Sequence, residues 1–265
     1  MLGKRTVAFL DVLGFRDKIE RIPLTSLSDS YEEAIELARI LNKKFATSES
    51  ANSLFPYHPM GERWCNRQIL SDAIILVSLN SSAESSLKLM LYARTLVQVF
   101  LTLGFSIRGG ISYGEIYKNH NTRVILGKAL TSAYKLEKNQ EWLGVAIDNS
   151  VEKNFPELFN NILYPKELLN WFFPVYLVPL KEEKFQEYRI LNWRFNMIIE
   201  EGTKSLLEKA NLNKDNKKFN NTLKYLEWVR KSGAVYIKEG VNRPIEMSAF
   251  FVGATKPPFK HGDEY

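Results

Sequence analysis

An α+β fold is what this 265-residue sequence predicts, and three observations predict it. Over the first 150 residues, apolar runs of strand length alternate with stretches at helical spacing. Their order is strand, helix, strand, strand, helix, strand, helix, strand, which begins as a ferredoxin-like βαββαβ arrangement. Hydrophobic residues make up 45% of the chain, enough to fill one packed interior.

Each element has its own signal. Residues 4–12 read as a buried strand. Asp29-Ser30-Tyr31-Glu32 has the form of a capping box opening a helix, with Ala34, Leu37, Ala38 and Leu41 on one face. "ANSLFPYHPMGE" is a polar, proline-bearing loop. Residues 64–70 and 73–79 are two strands, with Ser71-Asp72 as the turn between them. Residues 83–103 form a long amphipathic helix that stops at Gly104. Residues 105–117 are a strand containing Gly109, Gly110 and Gly114. Residues 131–138 are helical, and 143–147 complete the core as a strand. Farther on, "WFFPVYLVPL" and "EYRILNWRFNMII" read as strands. Residues 205–210 and 219–231 read as helices, joined by a connection rich in Asn and Lys. Residues 1–150 are thus expected to form a core, and 151–265 an α/β extension packed on it.

Composition narrows the chemistry. The single cysteine, Cys65, excludes an internal disulfide and a multi-cysteine zinc site. His58, His120 and His261 are too few for a histidine-rich metal centre, so any metal is expected on oxygen ligands, as magnesium or manganese. No apolar run reaches the roughly 18–20 residues of a membrane span. Asp11 interrupts the apolar N-terminal stretch and no small-residue cleavage site follows it, so a cytoplasmic location is expected. The net charge of +6 favours acidic partners such as nucleotide phosphates or nucleic acid.

Four stretches carry the candidate chemistry. In "VAFLDVLGFRDK", Asp11 sits at the end of a greasy strand, where a carboxylate is costly unless a cation compensates it. In "RQILSDAIILVS", Asp72 occupies a tight turn on the hairpin that a ferredoxin-like sheet places beside the first strand. Two such carboxylates repel unless one takes a proton or divalent cations bind; the alternative is a pair of turn or capping aspartates. Paired ions about 3.5–4 Å apart would also activate a hydroxyl and neutralise phosphate charge. In "GFSIRGGISYGEIY", Arg108 precedes two glycines that leave room beside it. A guanidinium there suits triphosphate oxygens, or a structural salt bridge with Glu115 or another acid. In "ILGKALTSAYKLEK", Thr131 and Lys135 lie four apart on a helix led by Gly127, on one face, where they could stabilise charge at a phosphate or simply form solvated surface.

In this order the four stretches resemble the class III nucleotidyl cyclases. "FLDVLGF" and "LSDAII" are similar to that family's two metal-binding elements, which makes Asp11 and Asp72 the ligands of two Mg²⁺ or Mn²⁺ ions. "IRGGISYG" resembles the strand whose arginine holds the triphosphate, a role that falls on Arg108. "GKALTSAYKLE" resembles the helix that serves the transition state through an asparagine and an arginine, replaced here by Thr131 and Lys135. The resemblance places Gly14, Phe15, Gln68, Arg108 and Val124 against substrate. Gln68 and Val124 stand where adenylate cyclases carry an adenine-reading lysine and aspartate, so that charge pattern is missing.

The short form with "FLDVLGF" and "IRGGIS" is most similar to the bacterial Pycsar pyrimidine cyclases. That likeness implies a homodimer with sites at its interface, Thr131 and Lys135 acting across it. It also implies a substrate of UTP, favoured over CTP, and a 3′,5′-cyclic UMP or CMP product that activates a separate effector in anti-phage defence. Two other readings stay open: a nucleotide sensor that keeps the fold without chemistry, and a palm-type nucleic-acid enzyme. No nucleic-acid module or aromatic stacking platform supports the last, so nucleic acid is not an expected partner.

Overall fold

A computed structural model describes residues 2–46, 64–119, 121–122, 124–160, 171–193 and 217–238, with side chains described to residue 231. Strand β1 (Leu2–Leu13) sends successive side chains to opposite faces, as any strand does. Ala8, Leu10 and Val12 enter the main apolar core, while Val7, Phe9 and Asp11 take the other face. Gly14, at φ 70°, turns the chain out of β1 into a short helix, α1 (Phe15–Arg21).

Helix α2 (Leu24–Ala46) corrects the expected start at the Asp29 capping box, beginning five residues earlier. Its buried stripe runs from Leu27 through Tyr31, Ala34, Ala38 and Leu41 to Phe45. The Ser28 and Ser30 hydroxyls donate backward to the carbonyls of Thr25 (2.7 Å) and Ser26 (2.9 Å). Those serines therefore lie inside the helix and cap nothing.

Strands β2 (Cys65–Leu70) and β3 (Ala73–Ser78) form the expected hairpin. Helix α3 (Ala83–Thr102) starts at Ser82, whose side chain accepts from the Ser85 N–H at 3.1 Å. It is not the amphipathic helix the sequence suggested. Every residue from Ser85 to Leu101 is buried. Its far side is covered by the later chain, where Arg94 Nε donates to the Asn192 carbonyl at 2.5 Å and its guanidinium lies 5.2 Å from the Phe172 ring.

Strand β4 (Ser106–Lys118), the short β5 (Ile125–Leu126), helix α4 (Lys128–Asn139) and strand β6 (Val145–Ile147) follow. The last strand begins two residues later than expected, because the Leu143 N–H is taken by the Thr222 hydroxyl at 2.8 Å. Helix α5 (Asn149–Asn154), strands β7 (Val175–Pro179) and β8 (Phe185–Ile190), and helix α6 (Lys217–Lys238) complete the described chain, apart from two short 3₁₀ turns. The expected loop at 51–62, the helix at 205–210 and residues 194–199 of the expected strand lie outside the described residues.

One mixed sheet runs β2-β3-β1-β4-β6-β8-β7, with β5 pairing β4 off this path. β1 lies antiparallel between β3 and β4, the central feature of the ferredoxin-like order. β6 runs parallel to β4, and β8 is antiparallel to β6, so strands from beyond residue 150 extend the same sheet. Tyr225 and Phe219 of α6 join the same apolar core. Among the described residues, no helix is long and apolar enough to cross a membrane.

Candidate active site

The candidate site lies at the C-terminal end of β1. Asp11 pairs in register with Ala73 on one side and Arg108 on the other. Directly opposed residues of antiparallel strands share a face, so Asp11 and Arg108 project together. Asp72 precedes Ala73, and its carbonyl accepts the Val12 N–H at 2.9 Å, which holds the hairpin turn against β1. The two aspartates are therefore brought together. Burial raises the Asp11 carboxyl above its ordinary value, and the Asp72 charge pushes it the same way; Arg108 and Lys138 oppose the shift.

Arg108 is buried and held from three directions. Its Nε donates to Glu137 Oε1 at 2.7 Å, Nη2 pairs with the same oxygen, and Nη1 donates to the Gln140 carbonyl at 3.0 Å. Nη2 also faces Asp11 Oδ2 at 3.8 Å. The salt bridge left open in the sequence thus exists, with Glu137 as the partner; Glu115 instead pairs with Lys128 at 3.2 Å. Arg108 is also a cation beside Asp11, so part of the compensation assigned to metal comes from within the chain.

The room expected beside Gly109 and Gly110 is filled by protein. A Cβ on Gly110 would strike the Ala133 carbonyl and come within 3.0 Å of Leu136 Cβ, so glycine lets α4 lie directly on β4. That close approach sets Glu137 against Arg108. Gln140 adds a second clamp, its Nε2 donating to the Gly109 carbonyl at 2.7 Å while its Oε1 accepts from Trp142 Nε1 at 2.8 Å. Glu137 is fully buried, and burial raises its carboxyl despite Arg108. Sequence reasoning passed over Glu137 and Gln140. The signal was a glutamate on the buried stripe of α4, in step with Ala129, Ala133 and Leu136.

The other expected residues divide into two groups. Gly14 and Phe15 stand at the end of β1, but the Phe15 ring packs edge-on to Tyr31 at 5.6 Å, in contact with the core. Gln68 is opposite Ile75, which is opposite Phe9, so it shares the Asp11 face and is half-buried. Thr131 and Lys135 are exposed, and the Thr131 hydroxyl donates back to the Gly127 carbonyl at 3.2 Å. Thr131 lies six residues before Glu137 on α4, roughly 9 Å along the helix. Val124 is exposed beside the far end of β4, whose last residue, Lys118, is ten residues from Arg108, roughly 33 Å along the strand. Val124 is thus not brought to Asp11 within one chain. Between these groups, Tyr134 packs edge-on against Phe9 at 5.2 Å, and Lys138 sits 5.7 Å from the Tyr134 ring.

No family model matches the chain, and no curated protein sequence does. Solved structures do resemble it. The catalytic core of a rhodopsin-guanylyl cyclase with converted specificity, in complex with ATPαS, is 12% identical, with 72% of this chain and 98% of that one covered at a TM-score of 0.49. The guanylate cyclase domain of RhGC from Catenaria anguillulae, in complex with GTP, is 13% identical over 71% of this chain and 95% of that one (TM-score 0.48). The adenylyl cyclase CyaB from P. aeruginosa is 15% identical over 73% and 96%, at a TM-score of 0.43. Identities this low assign no activity to this chain.

Proposed function

We propose that this chain is a divalent-metal-dependent nucleotidyl cyclase that converts UTP, in preference to CTP, into the 3′,5′-cyclic monophosphate and pyrophosphate. The observation that carries the reading is the acid pair, Asp11 on β1 and Asp72 on the turn bonded to it. Among the described residues, no three His, Cys, Asp or Glu side chains form a cluster able to hold a metal ion. Mg²⁺ commonly binds through one or two carboxylates plus substrate phosphates, so a two-carboxylate donor set fits it. Ions held there by Asp11 and Asp72 supply two things: a lowered pKa for the ribose 3′-hydroxyl and neutralised phosphate charge.

In the reaction the 3′-oxygen gives up its proton to solvent water and bonds to the α-phosphorus. The bond from that phosphorus to the bridging oxygen of the β-phosphate breaks, and pyrophosphate leaves with the bonding electrons. Arg108 keeps its Nη2 edge turned toward Asp11 and, being fixed by Glu137 and Gln140, offers a preorganised donor to the departing charge. Thr131 and Lys135 of the partner subunit act on the transition state across a two-fold interface, which suits their exposure here. Gln68 and Val124 supply no charged pair to read adenine, which supports a pyrimidine substrate. The product then serves as a messenger for a separate effector.

One observation favours a second reading, a nucleotide sensor without turnover. Three N–H groups of Arg108 are already bonded inside the chain, and the Thr131 hydroxyl is bonded to its own helix. Pyrophosphate release from UTP with Mn²⁺ separates the two. The cyclase reading predicts release by the wild type and loss of at least about a thousandfold in Asp11→Asn and Asp72→Asn, the scale of removing metal and charge stabilisation from a transition state. Nucleotide binding without pyrophosphate release would establish the sensor instead.

A further inference from the structure

We propose that Glu137 is a positioning residue that sets the metal affinity of the acid pair by holding and neutralising Arg108. This rests on the cyclase reading of Asp11 and Asp72 and adds a residue to it. Glu137 is no ligand itself, since no cluster of three metal-binding side chains occurs among the described residues. Its action runs through the guanidinium, with its own charge, which Asp11 also feels, acting in the same sense.

Three observations support the assignment. Glu137 is completely buried, and it spends Oε1 on both Nε and Nη2 of Arg108. Its Oε2 is also buried and has no hydrogen-bond partner among the described residues. The same Arg108 Nη2 that meets Glu137 lies 3.8 Å from Asp11 Oδ2, so a single nitrogen is shared between a carboxylate that holds it and one proposed to hold metal.

Charge counting gives the consequence. Asp11, Asp72 and Glu137 against Arg108 leave the cluster with two negative charges. Without Glu137, Arg108 is uncompensated, closes on Asp11 and competes with any divalent ion for its oxygens. Lys138, which also acts on Asp11, is unchanged in either case. One unit of charge at these separations in a half-buried site corresponds to a change in divalent affinity of about tenfold or more.

The test is Mn²⁺ binding to the full chain without nucleotide, followed by electron paramagnetic resonance. Four proteins are compared: wild type, Asp11→Asn, Glu137→Gln, and the double variant Arg108→Gln/Glu137→Gln. Near-ultraviolet circular dichroism reports the fold of each. Asp11→Asn marks the site by removing the binding. Glu137→Gln keeps the shape of the side chain, and its affinity should fall about tenfold or more. The double variant deletes both charges, restores the count to two negatives, and should recover affinity to within about threefold of wild type. A merely structural role for Glu137 would not produce that recovery. Wild-type affinity in Glu137→Gln, or equal weakness in the double variant, overturns the inference while leaving the metal site standing. Absence of Asp11-dependent Mn²⁺ binding in the wild type also overturns the inference, while the cyclase reading, whose ions bind together with substrate phosphates, is judged separately by pyrophosphate release.

Discussion

On one face of β1, Ala8, Leu10 and Val12 are buried in an apolar cluster that takes in α2 and α3. On the other, Asp11 stands beside Arg108, Asp72 and, through the guanidinium, Glu137. The two sets alternate along a single strand, so neither can shift by one residue without exchanging places. The dry face locks the register, and the register delivers the carboxylate. Stability and the proposed chemistry are therefore divided between the faces, and substitutions should divide the same way.

The largest effect on folding belongs to the dry face. Leu10 is fully buried, and Leu10→Ala should cost about 2–5 kcal/mol in urea unfolding. A loss below about 1 kcal/mol would show that this face does not anchor the strand. Gly110→Ala comes next. Its new Cβ meets the α4 backbone at Ala133, and the resulting overpacking should cost about 1–3 kcal/mol and loosen the Arg108–Glu137 pair. Unchanged stability would mean that α4 can retreat without cost.

Asp11→Asn should have the smallest effect on stability, and the opposite sign. Burial and the Asp72 charge raise the Asp11 carboxyl in the folded protein, so its charged form is disfavoured relative to the unfolded chain. That penalty is full above the folded-state value and disappears as pH falls through it toward the unfolded value. Without divalent ions, Asp11→Asn should therefore gain stability at pH 7. The gain should shrink as the medium approaches pH 4. A loss of stability at pH 7 in thermal melts would show that Arg108 stabilises ionised Asp11 more than burial and Asp72 oppose it.

The sequence carried the sheet's centre clearly. Val7 to Leu13 is an apolar run broken only by Asp11, Ser71-Asp72 marks the hairpin, and Gly104 stops α3, so the order around Asp11 followed from local signals. The ends of elements were less legible where a side chain had two uses. Asp29 and Ser30 suit a helix start, yet they lie inside α2 because Leu27 extends the buried stripe one turn earlier. The full burial of α3 could not be read from its own residues, since its cover comes from Phe172 and Asn192, at least seventy positions later.

The candidate site shows the same limit. Asp11 and Asp72 were legible because a carboxylate at the end of an apolar run is conspicuous. Arg108 was legible as a charge, but not its partner. Glu137 is 29 residues away and reaches Arg108 only because Gly110 lets α4 settle on β4. Contacts made by helix packing across such a distance leave only a faint trace, here one acidic residue on a stripe that should be apolar.

The acid pair's proposed purpose is tested most directly by mass spectrometry of the products formed from a mixture of all four ribonucleoside triphosphates with Mn²⁺. The account predicts 3′,5′-cyclic UMP as the main product, with less cyclic CMP, and none from Asp11→Asn. Cyclic purine nucleotides as the main products would contradict the substrate assignment. Four intact triphosphates, or linear monophosphates alone, would contradict the cyclase itself.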